Sequence, residues 1–363
     1  MQRRGTLLDA FFTCAWSLVL MWAAVVGSAR FPALRSPPDG AANEWTHTVV
    51  ALVAWPLVAV AVGVFARTRF LPLGTSLGES PGADLRRQFF KNRTAAFGLY
   101  AGLLLAQIAI FTPLIAGYDW QLIDVGPARA APSLAYPFGT DDFGRDLLSR
   151  CLYGARISLV VGFISVAISA TLGTLVGAVA GYVGGWTDRA LMFLVDLLLA
   201  LPRLVLLLAV LGLFRLQGAE RLFFIVAVLG ATGWMGVARI VRSQILSLRQ
   251  QDFVAAAESL GLPRSRVLLH HLIPNALAPV IVYASLALGG TILTEASLSF
   301  LGLGVSPPTP TWGVIVNEGK EMMRSAPWVT LFPGLLICSA VMSFNLLGDG
   351  LRDALDPRLR GRS

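Results

Sequence analysis

Few side chains in this sequence have the types and spacing needed for chemistry. The most notable are charged residues that lie within or beside apolar segments. Asp196 lies in an apolar run, and Arg189 and Arg203 each stand seven residues away, near one face of the same helix. Glu295 is a second charge of this kind, late in another apolar run. A charge in hydrocarbon is costly, so such residues usually face a partner or a water-lined interior. For Asp196, whose partner could come from its own helix or from another, a structural ion pair and a transport role remain open. For Glu295, a place in the pathway and a hydrogen bond to a neighbouring helix remain open.

The other reactive side chains form no recognisable catalytic or metal-binding arrangement. His270 and His271 are adjacent, but further metal ligands are not evident nearby, so we expect them to pack and hydrogen-bond. The three cysteines, Cys14, Cys151 and Cys338, are widely spaced and predict no complete disulfide framework. The sequence has no GxxxxGK[ST] phosphate loop and no evident grouping of nucleophile, base and orienting residue. We therefore expect no enzyme, no metal and no cofactor bound by this chain.

Membrane-spanning helices are the elements that must position these residues. Apolar residues make up 55% of the chain and charged residues 14%, whereas an ordinary soluble domain has about 25% charged residues. A run of about 20 apolar residues crosses the hydrocarbon core as a helix. The sequence therefore predicts an all-α, polytopic membrane protein in which Pro202 bends or breaks the fifth span. The eight predicted spans are residues 7–28, 48–66, 95–116, 157–183, 190–213, 222–241, 276–301 and 328–347.

The distribution of lysine and arginine predicts the orientation of the spans. With both termini in the cytoplasm, the inner segments hold 18 of these residues and the outer loops hold 10. The net charge of +8 follows from this topology and from contact with anionic lipid headgroups, and no nucleic-acid motif accompanies it. The first span is long for a signal-peptide core, so we expect it to be retained.

A polar segment between the sixth and seventh spans, here called the polar island, covers residues 253–275. Its alanine-rich start, then Gly261, then Pro263, predict a short helix, a bend and a second helix. The predicted orientation places this segment in the cytoplasm. A membrane protein keeps such a segment in water for a partner, and the shape predicted here protrudes and encloses no catalytic pocket.

The polar island resembles the EAA loop of bacterial ABC importer permeases, in which three small or acidic residues precede a glycine and, further on, a Leu-Pro. In that family this loop is the coupling helix that docks into a groove on the cytoplasmic ATPase. The family's leading glutamate is Ala255 here, and Glu258, one turn on, lies on a different part of the surface. The resemblance thus implies ATPase coupling by Ala255, Ala256, Ala257, Glu258, Gly261, His271, Leu272 and Pro274.

Two segments of the predicted outer loops are similar to the dipeptide, oligopeptide and nickel group of these importers. Residues 137–159 begin with a glycine-punctuated cluster of charges, which suits either a docking surface for a soluble partner or a charge-paired cap on the next helix. Residues 298–319 contain a proline-stiffened strip that suits a gate or a receptor platform. The candidate receptor-docking residues are Gly139, Asp141, Asp142, Gly144, Arg145, Asp146, Pro307, Pro308 and Trp312.

The resemblance covers residues 86–363, including a cytoplasmic coupling loop at 247–275, and leaves residues 1–85 as an extension with two spans and a cytoplasmic linker. It implies a six-helix permease core in a bacterial or archaeal cytoplasmic membrane, most simply for peptides. A second, homologous permease, two ATPase subunits that use ATP and Mg²⁺, and an extracytoplasmic binding protein are the implied partners. Nickel or another small solute is an alternative cargo. An ion-coupled secondary transporter using Asp196 and Glu295 is an alternative mechanism.

Overall fold

The computed structural model describes residues 88–214 and 216–355, and within these residues it is helical and contains no β-strand. Five helices are long and apolar enough to span a membrane, and the number is six if a pair of helices bent at a short break is counted as one span. The all-α polytopic class predicted from the sequence is confirmed. The spans predicted at 7–28 and 48–66, Cys14 and the tail after residue 355 lie outside the described residues. The helices are α1 (Arg93–Ile115), α2 (Leu147–Val183), α3 (Gly185–Ala200), α4 (Arg203–Leu213), α5 (Gly218–Leu248), α6 (Asp252–Ser259), α7 (Arg264–Phe300), α8 (Trp312–Gly319) and α9 (Trp328–Leu355).

Helix α2 begins ten residues before the predicted span at 157–183, at Leu147. The cause is local, because the Asp146 side chain accepts a hydrogen bond from the Ser149 amide at 2.8 Å and so caps the first turn. The added turns carry Arg150 and Arg156, which lower the apolar average on which the span was predicted. The polar start of the helix therefore lies in the outer loop region, beyond the apolar segment.

A row of glycines brings α2 and α5 into close contact. Gly173, Gly177 and Gly181 stand four residues apart on one face of α2. A Cβ atom on Gly181 would lie 2.9 Å from the Arg242 carbonyl oxygen, and one on Gly177 would clash with the Ala238 carbonyl oxygen. Lipid gives helices little hydrophobic reason to associate, so close backbone approach through small residues is a main source of packing energy.

The span formed by α3 and α4 is broken at residues 201–202, where the two helices meet at 84°. Leu201 has an extended backbone with ψ of 131°, as expected for a residue that precedes proline. Pro202 cannot donate the hydrogen bond that a continuous helix needs. The break predicted from Pro202 is therefore present.

The centre of the bundle is filled where α1, α2, α7 and α9 meet. Leu105, Leu159, Ile292 and Phe344, one from each of these helices, are buried in one apolar cluster. Trp312 of α8 enters the same cluster from the outer side and is fully buried. The short helix α8 is thus part of the core and closes its outer end.

We predict that Gly177→Ala weakens the packing of α2 on α5. The added methyl group meets backbone that cannot rotate away, and overpacking of this kind costs about 1–3 kcal/mol. Gly290→Ala is the matched control, since a Cβ there meets no atom within 4 Å and alanine favours a helix over glycine by about 0.5–1 kcal/mol. Unfolding of the two variants in detergent would be compared with that of the parent chain, and equal stabilities would contradict the packing argument.

Candidate functional site

The polar island forms the short helix α6 followed by a sharp turn. The Leu262 amide donates to the Ala257 carbonyl oxygen at 3.3 Å, and the Gly261 amide donates to the Glu258 carbonyl oxygen at 3.0 Å. This pair of bonds is the Schellman motif, which ends a helix at a residue in the left-handed conformation. Gly261 occupies that position with φ of 75°. The bend predicted at Gly261 is present and has this hydrogen-bond pattern.

One face of α6 packs against the inner ends of three spans. Val254 and Ala257 are buried. They belong to an apolar cluster with Val241 of α5, Tyr182 of α2 and Leu272 of α7. Because the cluster draws on helices from both halves of the described chain, α6 is held rigidly against the end of the bundle.

The opposite face of α6 is open to solvent and carries apolar side chains. Ala255, Ala256 and Glu258 are exposed. Leu260 is 82% exposed and Phe253 is 40% exposed, although neither lies in an apolar span. Sequence reasoning named the three alanines but missed these two larger side chains. The signal for Leu260 was its position at the end of α6, just before the turn glycine.

The second half of the polar island leads directly into α7. Val267–Leu272 is a π-helical stretch, and Leu272 is buried whereas Pro274 is exposed. His271 is half-buried, and its carbonyl oxygen accepts a hydrogen bond from the Asn275 side chain at 2.6 Å. Among the residues that the structure describes, no group of three His, Cys, Asp or Glu side chains could hold a metal ion.

Glu258 links the polar island to α2. The Tyr182 hydroxyl donates to Glu258 Oε1 at 3.4 Å, and Arg249 donates to the Tyr182 carbonyl oxygen at 3.1 Å. The position expected for the family's glutamate, Ala255, is exposed and lies one turn earlier. Glu258 therefore contacts the chain's own bundle, and Ala255 is free for an external contact.

Buried charges tie the outer loop before α2 to α8. Arg150 is fully buried, and its Nη1 lies 2.7 Å from Asp141 Oδ2 and 2.6 Å from Glu318 Oε2. Arg145 reaches the same two carboxylates, at 2.6 Å and 3.3 Å. Two arginines thus neutralise two acids in a buried network, which holds α8 against the start of α2.

Asp146 sits beside this network and caps α2. Burial raises the pKa of the Asp146 carboxyl group, the hydrogen bonds from Ser149 and Leu148 oppose that rise, and the charge of Asp141 adds to it. The arrangement corresponds to the charge-paired cap, one of the two interpretations left open by the sequence.

Most of the candidate receptor-docking residues in the outer loops are buried and support the exposed residues of these loops. Trp312 shows the pattern, because its indole Nε1 donates to the Cys151 carbonyl oxygen at 3.0 Å inside the core. A soluble partner would contact the exposed residues around them in this conformation. The buried members are Gly139, Asp141, Gly144, Arg145, Asp146 and Trp312, and the exposed members are Asp142, Pro307 and Pro308.

The charges within the spans have partners on neighbouring helices. Asp196 of α3 pairs with Arg239 of α5, with Oδ1 and Nη2 2.5 Å apart, and both side chains are more than half exposed. Arg189 is not its partner, and Arg203 instead donates to the Leu229 carbonyl oxygen at 3.4 Å. The partner of Asp196 therefore comes from another helix, which sequence spacing along α3 could not reveal.

Glu295 is fully buried near the outer end of α7. Its Oε1 accepts from the Ser299 hydroxyl at 2.8 Å and its Oε2 from the Ser158 hydroxyl at 3.3 Å. Ser158 lies on α2, so the carboxyl group bridges two spans. Of the two interpretations left open for Glu295, the hydrogen bond to a neighbouring helix is the one that this geometry contains.

Comparison with known proteins adds an independent line of argument. Residues 173–361 match the family described as binding-protein-dependent transport system inner membrane component, and residues 80–135 match the N-terminal transmembrane domain of oligopeptide transport permease C. A dipeptide transport system permease protein of Alkalihalophilus pseudofirmus is 40% identical over 281 residues, which are 77% of this chain and 91% of that protein.

Two further relatives have the same extent of similarity. An oligopeptide transport system permease protein of Haemophilus influenzae is 43% identical over 78% of this chain and 90% of its own length. A glutathione transport system permease protein of Escherichia coli O6:K15:H31 is 41% identical over 78% of this chain and 92% of its own length.

We predict that Gly261→Ala loosens the end of α6, because a left-handed conformation costs an alanine about 1–2 kcal/mol. Gly261→Asn is the control, since asparagine adopts this conformation more readily. Hydrogen exchange at the amides of residues 261 and 262 would measure the effect. Faster exchange is expected in the alanine variant only, and equal rates in both variants would contradict the prediction.

We predict that Arg150→Met destabilises the outer end of the bundle. Removing one partner from a buried network leaves acids without full compensation, which costs about 3–5 kcal/mol. Arg129→Gln is the matched control, because the Arg129–Asp142 pair is nearly half exposed and such pairs contribute about 0–1 kcal/mol. The free energy of unfolding in detergent is the measurement, and similar losses in the two variants would argue against the network.

Proposed function

Because this chain belongs to the family of binding-protein-dependent transport system inner membrane components, we propose that it is a permease subunit of an ATP-driven importer of dipeptides or oligopeptides. The printed names of the three relatives above are those of dipeptide, oligopeptide and glutathione permeases. These cargoes share a peptide backbone with charged ends. That common chemistry supports peptides as the cargo class and makes nickel the weaker alternative.

The observation that carries the proposal is the two-sided α6. Its inner face is anchored by Val254 and Ala257, while Phe253 at its start and Leu260 just after its end are exposed to water. Apolar side chains exposed together outside the membrane mark a surface that a protein partner covers. We assign this surface to a cytoplasmic ATPase subunit, which supplies the ATP hydrolysis for which this chain has no phosphate loop.

The connection of α6 to the spans supports a coupling role. Only residues 249–251 separate α6 from α5, and only residues 260–263 separate it from the start of α7. A displacement of α6 by the ATPase is therefore passed to two spans at once, one on each side. In the proposed cycle, ATP binding brings two ATPase subunits together, the docked helices follow, and the spans reorient as rigid bodies.

A second permease would complete the transport path. Asp196 and Arg239 form a half-exposed ion pair on the surface of the bundle, inside spans. Lipid is a poor environment for such a pair, so this face is one that a partner subunit or water covers. We propose that it borders the path shared by two homologous permeases in the cytoplasmic membrane, with both termini of this chain inside.

The outer side offers a separate surface for an extracytoplasmic binding protein. Leu134 is 85% exposed, Ile123 is 62% exposed and Phe143 is 58% exposed in the loops above α1 and α2. The buried network of Arg150 holds these loops in place. We propose that the binding protein contacts these apolar residues, while the buried residues near them keep the surface rigid.

We predict that Leu260→Asp abolishes copurification of the ATPase subunits while the chain remains folded. A carboxylate at the exposed apolar contact would be desolvated on docking without a partner charge. Leu134→Asp is the matched control, since that leucine is equally exposed but belongs to the opposite side of the membrane. It is expected to retain the ATPase and to lose the binding protein.

Affinity purification of both variants from native membranes in mild detergent, followed by mass spectrometry, would measure these losses. Retention of the ATPase by the Leu260→Asp variant would contradict the assignment of α6 as the contact surface for the ATPase subunit. A parent chain that purifies alone and transports in proteoliposomes without ATP would favour an ion-coupled mechanism. Dependence of that transport on Asp196 would then identify the ion site.

A further inference from the structure

Two ion pairs join α3 to α5 along a single line, here called the charge seam and formed by Asp188, Arg242, Asp196 and Arg239. Asp188 binds Arg242 through both carboxylate oxygens, at 2.5 Å to Nε and 2.6 Å to Nη2. Asp196 binds Arg239 at 2.5 Å. The two acids are eight residues apart on α3 and lie on one face of that helix. The two arginines are three residues apart on α5 and lie on one face of that helix.

Apart from the charge seam, α3 has little that attaches it to α5. Val195 is the one buried residue of α3, and it packs on Met235 and Ala238 of α5. Most other side chains of α3 are at least partly exposed. The attachment is therefore a small apolar cluster, in which Met192 and Leu198 of α3 are also partly buried, together with two charge contacts.

Helix α5 faces the polar island with its other side. Val241 and Ile245 are buried in the cluster that contains Val254 of α6, whereas Arg239 and Arg242 point to α3. One helix thus contacts the polar island with one face and the bent span with the other. A movement that begins at α6 reaches α3 through α5.

Folding stability does not account for the Asp196–Arg239 half of the charge seam. The side chains of Asp196 and Arg239 are 61% and 52% exposed, and ion pairs with such exposure add little to stability because water screens them. Charges in this position are also unfavourable beside lipid. Their geometry is nevertheless close, and one of the two pairs is bidentate, which fixes the relative orientation of the helices.

We propose that the charge seam makes α3 follow α5 when nucleotide binding displaces the polar island. This inference rests on the proposed function and adds four positioning residues to it. Asp188, Asp196, Arg239 and Arg242 carry the motion across to α3, and through the break at Pro202 to α4. With the charge seam removed, α5 moves and α3 stays behind.

Distances between nitroxide labels would test this in the purified complex, in a background without reactive native cysteines. Exposed sites for the labels are Phe193 on α3, Leu246 on α5 and Met342 on α9, which serves as the reference helix. The probe is a non-hydrolysable ATP analogue with Mg²⁺. In the parent complex we expect the analogue to change both the 193–342 and the 246–342 distances.

The decisive variant is Asp188→Asn with Asp196→Asn, which removes both acids and preserves their shape. We expect the 246–342 change to persist and the 193–342 change to be lost, with the yield of the complex unaltered. Replacing both acids by glutamate should restore the lost change, because the carboxylates remain. Arg189→Gln is the control, since it removes an exposed charge from the same helix outside the charge seam.

A 193–342 change that survives neutralisation would overturn the proposal, because α3 would then follow α5 without the charges. Loss of both changes, or loss of the complex, would also overturn it and assign the charges a structural role. If the 246–342 distance in the parent complex does not change when the ATP analogue binds, the coupling function on which the charge seam depends is refuted instead. The distance on α5 thus separates failure of the proposed function from failure of this inference.

Discussion

The close contact between α2 and α5 is the constraint on which the rest of the described structure depends. Gly173, Gly177 and Gly181 let the backbone of α5 lie directly on α2, and any side chain there would push the helices apart. The inner end of α5 is set by this contact, and the position of α6 follows because only three residues separate the two helices. The charge seam on the far side of α5 is placed by the same contact. A small-residue stripe thus sets the geometry at both faces of one helix.

The two ends of the bundle use charge in different ways. At the outer end, Arg150 and Asp141 are buried and pair with each other, so separating the segments that carry them would leave charges buried without partners. At the inner end, the Asp196–Arg239 pair is exposed, and screening by water makes its contribution to folding stability small. The outer charges therefore hold segments together in the folded state, while the inner pair orients α3 relative to α5.

Much of this architecture could be predicted from the sequence because it depends on local properties. Apolar runs identified the six spans of the described region, Pro202 identified the break, and Gly261 and Pro263 identified the two-part polar island. Each of these features follows from the chemistry of a few consecutive residues. The resemblance to importer permeases, drawn from the same motifs, is confirmed by the family to which the chain belongs.

The features that escaped prediction depend on contacts between distant segments. The sequence leaves open that a helix other than its own supplies the partner of Asp196, but it cannot identify Arg239, because the two helices pair only in the folded chain. Arg150, in the first turns of α2, is buried because it finds acids on two separate segments, which its neighbours in the sequence do not reveal. The candidate docking residues of the outer loops were chosen by type, and type does not reveal that most of them are buried. Exposure is a property of the whole fold.

The composition of the cluster beneath α6 also has a consequence for the order of biogenesis. Val254 and Ala257 are covered partly by Leu272 and Ala276, which are made after α6 itself. Since a chain is synthesised from its N-terminus, a ribosome that has just released α6 leaves this short helix without half of its support. The support arrives only when the start of α7 has been made and placed beside α2 and α5. The exposed face of α6 therefore acquires its final shape late, and under the proposed function a cytoplasmic subunit that recognises that shape would select chains in which the start of α7 is already in place.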